Sequence, residues 1–247
     1  MTGQRVSVIL PAFNEAGNIV ELIRDVVAAV PAGYAYEIIV VDDNSPDGTY
    51  RLVRDTFSDQ PQVTTILRTQ DRGLANSIRT GIERASGDYI VVMDTDFTHD
   101  PNEIPNLLHV VKICDIASGS RFCPGGRMSD TRHYLLSLTY NWILRIVLRT
   151  QIQDNLGGFF VVRRDALFSL PFDQIFFGYG DYFFRLLHFA QKAQLKIIEI
   201  PAEYLSRSHG QSKSRWLSMI FLYTQAALRL RLRTACAKSD CARKSHE

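Results

Sequence analysis

The chain is poor in cysteine, has no long unbroken hydrophobic run, and lacks an excess of charge of either sign. Its four cysteines, Cys114, Cys123, Cys236 and Cys241, form no Cys-x-x-Cys pair and are too few to staple 247 residues, which excludes a disulfide framework and points to a reduced, cytosolic setting. The closest approaches to a membrane span, Tyr134 to Leu148 and Leu217 to Leu230, are interrupted by Ser137, Thr139, Asn141 and Arg145 and by Thr224, Gln225 and Arg229. A span needs ~20 apolar residues in a row, so neither is expected to cross a bilayer, although either suits a membrane surface. The 28 Lys+Arg against 26 Asp+Glu leave a formal charge of +2, too balanced for a protein that coats nucleic acid, and no nucleic-acid partner is expected. No charged-then-apolar leader precedes Arg5 to Leu10, so no secretory signal is expected. The first strand-like run is not followed by Gly-x-Gly-x-x-Gly, which argues against a dinucleotide-binding dehydrogenase.

What is present is enough apolar material, 46% of residues, for one substantial core and a single domain. Short Val- and Ile-rich runs at Val6 to Leu10, Glu37 to Val41, Val63 to Leu67, Tyr89 to Met93 and Ile113 to Ser118 read as strands buried on both faces. Between them lie helical periods: Ile19, Leu22, Ile23, Val26, Val27 and Val30 share one helix face, ended by Pro31 and Gly33. Leu74, Ile78 and Ile82, then Ile104, Leu107, Leu108 and Val111, repeat the pattern. This alternation predicts an α/β fold, a mostly parallel, Rossmann-like sheet flanked by helices, with binding at the carboxyl ends of the strands. After about Gly119 the rhythm changes to a long helix over 131–149, a strand at 159–162, a helix at 181–191, a strand at 196–200 and a last helix from Trp216. A catalytic unit over 1–215, a C-terminal amphipathic helix over 216–233 and a tail over 234–247 are expected.

The strongest chemical signal is Met93-Asp94-Thr95-Asp96. Two carboxylates ~5 Å apart repel by roughly 3 kcal/mol at an effective dielectric of ~20, and a hard divalent cation, Mg2+ or Mn2+, removes that cost. Such an ion can also bridge to a donor diphosphate and stabilise the charge of a departing nucleotide. Acidic groups recur at the second strand end, Val41-Asp42-Asp43-Asn44-Ser45-Pro46-Asp47-Gly48-Thr49, where Asp43 can accept hydrogen bonds from a base or ribose. Asp47-Gly48-Thr49 reads as a turn and helix start. Asp42 reads equally as a buried structural group.

Together with Pro11-Ala12-Phe13-Asn14-Glu15, Arg68-Thr69-Gln70-Asp71-Arg72-Gly73-Leu74, Ser86-Gly87-Asp88, Gly119-Ser120-Arg121 and Arg207-Ser208-His209-Gly210-Gln211-Ser212-Lys213, these segments resemble the family-2 glycosyltransferases of the dolichol-phosphate mannosyltransferase type. The resemblance implies a GT-A fold and an inverting enzyme that moves a sugar, mannose from GDP-mannose, to a dolichyl or other polyprenyl phosphate. It places the donor around Pro11, Phe13, Glu15, Val41, Asp43, Arg72, Asp94, Thr95 and Asp96. Asp94 and Asp96 fall at the metal positions; Thr98 stands where the family often has a glutamine ligand. Arg121, Ser137, Arg207 and Lys213 match positions around the acceptor phosphate, and Arg121 and Arg207 join the two aspartates as catalytic groups. The family also carries an arginine four residues before that serine. His133 occupies the position, and the adjacent Arg132 is assigned the role. Guanidinium groups fork onto phosphate oxygens while lysine acts as a point charge.

A phosphate acceptor is already anionic and needs no strong base. Asp181, about where relatives that activate a hydroxyl carry a base, is therefore read as orienting loops or capping a helix. The role of Asp154 is left open. His99, His109, His188 and His209 have no metal-ligand spacing and are read as structural. The helix from Arg132 to Arg149 has an apolar body with arginines near both ends, which suits a lipid surface or a membrane-anchoring partner; core packing is the competing reading. The expected location is the cytoplasmic face of a membrane, held peripherally. Two alternatives stay open: a UDP-sugar donor with a polyprenyl-phosphate or other acceptor, and a non-catalytic nucleotide-sugar-binding subunit.

Overall fold

The computed structural model of the chain describes residues 3–205 and 219–232, with Thr131 and Arg132 described by their backbone alone. The elements run β1 (Arg5–Ala12), α1 (Ile19–Ala29), β2 (Ala35–Asp42), α2 (Thr49–Thr56), β3 (Val63–Leu67), α3 (Leu74–Arg84), β4 (Tyr89–Val92), α4 (Ile104–Val110), β5 (Ile116–Ser120), β6 (Arg127–Met128), α5 (Thr131–Leu148), β7 (Phe160–Arg163), α6 (Arg164–Phe168), α7 (Phe172–Ile175), α8 (Tyr182–Lys192), β8 (Ile197–Pro201) and β9 (Glu203–Tyr204). A last helix, α9, covers 219–232. No helix among the described residues is long and apolar enough to cross a membrane.

Seven strands form one sheet in the order β3-β2-β1-β4-β7-β5-β8. All pairs are parallel except those of β7, which runs antiparallel between β4 and β5. The carboxyl ends of the other six strands and the start of β7 therefore meet at one edge. Alternating side chains sort the core into two layers. Val8, Leu10, Ile38 and Val40 pack with α1, α2 and α4 through Leu22, Ile23, Val53 and Leu107. Ile9, Ile39, Val41 and Val92 pack on the other face with α3, α7 and α8 through Ile78, Ile82, Ile175, Phe183 and Leu187. Helix α3 lies so close that a Cβ on Gly81 would come within 2.4 Å of Ile9 Cγ2.

Two expectations are corrected. The run beginning at Ile113 does not start a strand there: Val111–Ile113 continues α4 as a 3-10 turn, Ile113 is 67% exposed, and β5 begins only at Ile116. Strand β3 is not buried on both faces, because it is the sheet's edge and leaves Thr64 and Leu67 exposed. Helix α5 is packed and exposed at once. Tyr140, Leu144 and Leu148 join Tyr223, Ala227 and Leu230 of α9 and Phe184 of α8 in a third cluster, while Leu135, Leu136, Trp142 and Ile146 face outward.

Candidate active site

The loops that leave β1, β2, β3 and β4 at the carboxyl edge each contain a non-glycine residue in the left-handed region: Asn14 (φ 61°), Asn44 (φ 57°), Asp71 (φ 47°) and Phe97 (φ 62°). Asn and Asp tolerate that conformation; a bulky Phe does so at a cost of order 1–3 kcal/mol, and such residues gather where a loop must hold a functional shape. Here the shape is set by hydrogen bonds between neighbouring loops. Asn14 and Ala16 donate their N–H groups to Ser45 Oγ (2.9 Å) and Asp47 Oδ2 (3.0 Å), and Glu15 N–H donates to Thr49 Oγ1 (3.0 Å). Asp47 Oδ1 accepts from Thr49 N–H (3.0 Å) and its hydroxyl (2.6 Å), the expected turn and helix start. Asp42, fully buried, accepts from Ser45 hydroxyl (2.5 Å) and N–H (2.9 Å) and is a structural group.

Asp43 is more heavily engaged than its sequence position suggests. Arg68 Nη1 donates to its Oδ1 at 2.6 Å and Gly73 N–H to its Oδ2 at 2.6 Å. Arg68 also donates to Ser77 Oγ (2.9 Å) and to the Asp71 carbonyl, folding the 70–73 loop back over the strand end. Each carboxylate oxygen of Asp43 retains a lone pair for a further donor. Arg72, carried on that loop, lies 5.0 Å over the Phe13 ring, so Phe13, Glu15, Asp43 and Arg72 share one end of the edge, with Pro11 and Val41 buried beneath them in β1 and β2.

The Asp94–Asp96 loop follows β4. Thr95 is buried and its hydroxyl donates to the Pro11 carbonyl (3.1 Å), tying this loop to β1. The Asp94 side chain is 44% exposed, whereas Asp96 is 9% exposed and its Oδ1 accepts from Thr98 N–H (3.1 Å) and hydroxyl (2.6 Å). His99 receives the Asp94 N–H on Nδ1 at 2.9 Å. Among the described residues, no three His, Cys, Asp or Glu side chains form a complete metal-ligand group. Two carboxylates and the Thr98 hydroxyl are nonetheless all oxygen donors, a set that fits Mg2+ or Mn2+ when substrate oxygens and water fill the remaining positions.

Arg121, just past β5, forms a buried fork with Asp154: Nε to Oδ2 and Nη2 to Oδ1, both 2.7 Å, with the Arg121 N–H also on Oδ2 at 3.1 Å. Its guanidinium lies 4.7 Å over the Tyr204 ring and 5.1 Å over Phe122. Burial works against its charge, but Asp154 outweighs this, with smaller help from Tyr204 and Asp94, and its pKa is raised. Asp154, the residue of open role, is thus Arg121's clamp. Glu199 on β8 in turn accepts two successive N–H groups, of Gln153 (2.7 Å) and Asp154 (2.8 Å). Phe122 rests against Tyr134 (5.2 Å), which brings the start of α5, with the buried Ser137, alongside. His133 pairs with Asp130 at 2.6 Å. The side chain of Arg132 and the segment with Arg207 and Lys213 lie outside the described residues.

Asp181 makes no side-chain cap of α8. Its Oδ1 accepts from Tyr179 N–H (3.0 Å) and its Oδ2 from the buried Arg185, which also donates to the carbonyls of Ile175 (2.9 Å) and Phe177. The carboxylate therefore orients the 176–181 loop, whose Gly178 carbonyl lies next to Gly73. Arg68, Asp154, Arg185 and Glu199 are the participants that sequence reasoning did not single out for roles. Arg68 stands inside a quoted motif; the other three act through partners that only the fold reveals.

The profile described as glycosyl transferase family 2 matches residues 7–169. The chain is 36% identical over 232 residues to a dolichol-phosphate mannosyltransferase of Pyrococcus furiosus, covering 92% of this chain and 63% of that protein, so it spans less than two thirds of that relative's length. It is 33% identical to an undecaprenyl-phosphate mannosyltransferase of Micrococcus luteus (85% of this chain, 87% of that one). To a polyprenol monophosphomannose synthase of Mycolicibacterium smegmatis it is 32% identical (85% and 81%). Among solved structures it resembles glucosyl-3-phosphoglycerate synthase of Mycobacterium tuberculosis in complex with Mn2+, UDP and phosphoglyceric acid, with a TM-score of 0.71 at 20% identity over 93% of this chain and 79% of that one. The same enzyme in complex with Mg2+ and UDP gives 0.69 at 21% identity, over 92% and 79%. That likeness establishes the GT-A-type fold, and the sequence match establishes the lineage: the chain belongs to glycosyl transferase family 2.

Proposed function

We propose that the chain transfers one sugar, mannose from GDP-mannose, to a polyprenyl phosphate with inversion at the anomeric carbon. The observation that carries the reading is the pairing at one sheet edge of an exposed carboxylate, Asp94, with a fixed guanidinium, Arg121. The carboxylate of Asp181 is held by the Tyr179 N–H and by Arg185, which supports a loop-orienting role for it. A hydroxyl acceptor needs a base to remove its proton; a phosphate monoester oxygen attacks as the anion it already is. The curated relatives named above are polyprenyl-phosphate mannosyltransferases, which supports the same acceptor.

In this reading Pro11, Phe13, Glu15, Val41, Asp43 and Arg72 hold the nucleoside end of the donor, with Arg68 and Gly73 N–H setting the Asp43 carboxylate. Asp94 and Asp96, with Thr95 anchoring their loop and Thr98 orienting Asp96, provide the oxygen donors for Mg2+ or Mn2+. When bound, that ion supplies positive charge against the donor diphosphate. Arg121, Arg132, Ser137, Arg207 and Lys213 receive the acceptor phosphate. Arg121 presents its remaining N–H edge, because Asp154 occupies the fork. An acceptor oxygen forms the new bond to C1 as the bond from C1 to the diphosphate oxygen breaks on the opposite face, and the nucleoside diphosphate departs without a proton having to be removed.

The acceptor's lipid implies a membrane surface. The outer faces of α5 and α9 expose Leu135, Leu136, Trp142, Ile146, Phe221 and Leu222, with Arg145, Arg149 and Arg229 exposed around them. Apolar residues with arginines near them suit the headgroup region of a bilayer, which supports a peripheral contact with a membrane; in this reading the surface is the cytoplasmic one. A thermal-shift comparison of GDP and UDP in Mn2+ or Mg2+ tests the donor site. Stabilisation by GDP is expected; stabilisation by UDP alone would move the donor to a UDP-sugar, and no shift with either would refute the reading.

A further inference from the structure

His99 is 1% exposed and is held on every side. Because the Asp94 peptide N–H donates to Nδ1 at 2.9 Å, Nδ1 carries no proton; Nε2 carries it and donates to the Gly157 carbonyl at 3.2 Å. Nε2 stands 3.9 Å from Asp94 Oδ2, too far for a hydrogen bond. The ring stacks on Phe159 (5.0 Å between centroids, 12° between planes) and meets Tyr204 edge to face (4.7 Å, 78°). The backbone of His99 also bridges Tyr204, and Leu205 N–H donates to the Thr98 carbonyl at 3.1 Å. The imidazole cannot turn over without losing both hydrogen bonds.

The two loops that the ring joins serve groups of opposite charge. On one side is the peptide of Asp94, at the head of the carboxylate pair. On the other is Gly157, three residues beyond Asp154, the clamp of Arg121. Gly157 leaves no room for adjustment: a Cβ there would lie 2.7 Å from the Tyr204 hydroxyl and 3.3 Å from Asp154 Cγ.

We infer that His99 is a positioning residue for the substrate diphosphate. Its two ring nitrogens tie the Asp94 peptide to the Gly157 carbonyl and so fix the separation between the Asp94–Asp96 carboxylates and the Arg121 guanidinium. The inference rests on the reading that these carboxylates serve a cation-bound nucleotide. His99 touches no reacting atom; it sets where the groups that do are found.

The substitutions that test this separate the acceptor from the ring. His99→Asn places Oδ1 about where Nδ1 stands and keeps an acceptor for the Asp94 N–H. His99→Leu keeps bulk without an acceptor, and His99→Gln keeps a donor reaching towards Gly157 without an acceptor at the Nδ1 position. In the metal-free full chain, amide exchange at Asp94 is expected to stay slow in the Asn variant and to speed up by ~10-fold or more in the Leu and Gln variants. Calorimetric titration with GDP in Mn2+ is expected to show binding weakened by ~10-fold for Leu and severalfold for both Asn and Gln, each of which keeps only one end of the tie. If the Leu variant does not fold, the Asn and Gln variants decide. Wild-type GDP affinity in the Leu variant, or in either the Asn or the Gln variant, would overturn the inference and leave the functional reading standing. A wild-type protein that binds neither GDP nor UDP would overturn both.

Discussion

Arg121 owes its position to residues far away in sequence. Asp154 takes its fork from 33 residues away, and Glu199 holds the Asp154 peptide from 45 residues away. The pair is buried on both sides, 9% and 0% exposed, so removing one member leaves the other charge uncompensated at a cost of about 3–5 kcal/mol. Asp154→Asn is therefore expected to lower stability by about that amount in chemical denaturation. In whatever fraction folds, it should raise the KM for acceptor phosphate more than that for the donor. Unchanged stability and an unchanged acceptor KM would show that the fork does not set Arg121. Asp94 and Asp96 stood out as candidates in the sequence because two like charges directly after an apolar strand are costly without a purpose. The partners of Asp43, Arg121 and Asp181 were not legible there, since a carboxylate's hydrogen bonds depend on which loops the fold brings together.

At the scale of elements, strands were legible wherever both faces are apolar, as in β1, β2 and β4, and helices wherever one face repeats, as in α1 and α3. Strand direction was not: nothing local in Phe160–Arg163 marks β7 as the antiparallel member between β4 and β5. The two-residue strands β6 and β9 pair with each other and are too short to show a period. Helix α5 was legible as a helix and ambiguous in purpose, because apolar residues run all round it; its inner side packs on α9 and α8 and its outer side is exposed. The outer side carries a prediction. Leu136→Glu and Ile146→Glu together, at exposed positions, are expected to reduce co-sedimentation with anionic liposomes severalfold while turnover of a short, water-soluble polyprenyl phosphate stays within about 2-fold. Undiminished sedimentation would remove this face as a lipid contact.

The whole molecule divides its polar chemistry between the two edges of one sheet. At the amino-terminal edge the Glu37 carboxylate accepts from Ser7 hydroxyl (2.5 Å), Ser86 N–H (2.7 Å) and Ser86 hydroxyl (2.8 Å). Burial alone would raise its pKa, yet these bonds outweigh it and the pKa is lowered; that edge closes the fold. At the carboxyl edge the loop at Phe97 is strained, Asp94 reaches solvent, and Arg121 stands fixed nearby, an arrangement that favours an ionised ligand over further packing. The parallel order of the strands, with the helices divided between two faces, is what gathers these groups, and both follow from the alternation visible in the sequence. The account turns on that edge carrying sugar to a lipid phosphate. Its most direct test is to incubate the protein, with Mn2+ or Mg2+, with a panel of nucleotide sugars and a short polyprenyl phosphate, and to identify the lipid product by mass spectrometry. The wild-type chain is expected to add one hexose from GDP-mannose and the Asp94→Asn, Asp96→Asn double variant to add none; undiminished transfer by the double variant, or no glycosylated lipid from any donor with the wild type, would contradict it.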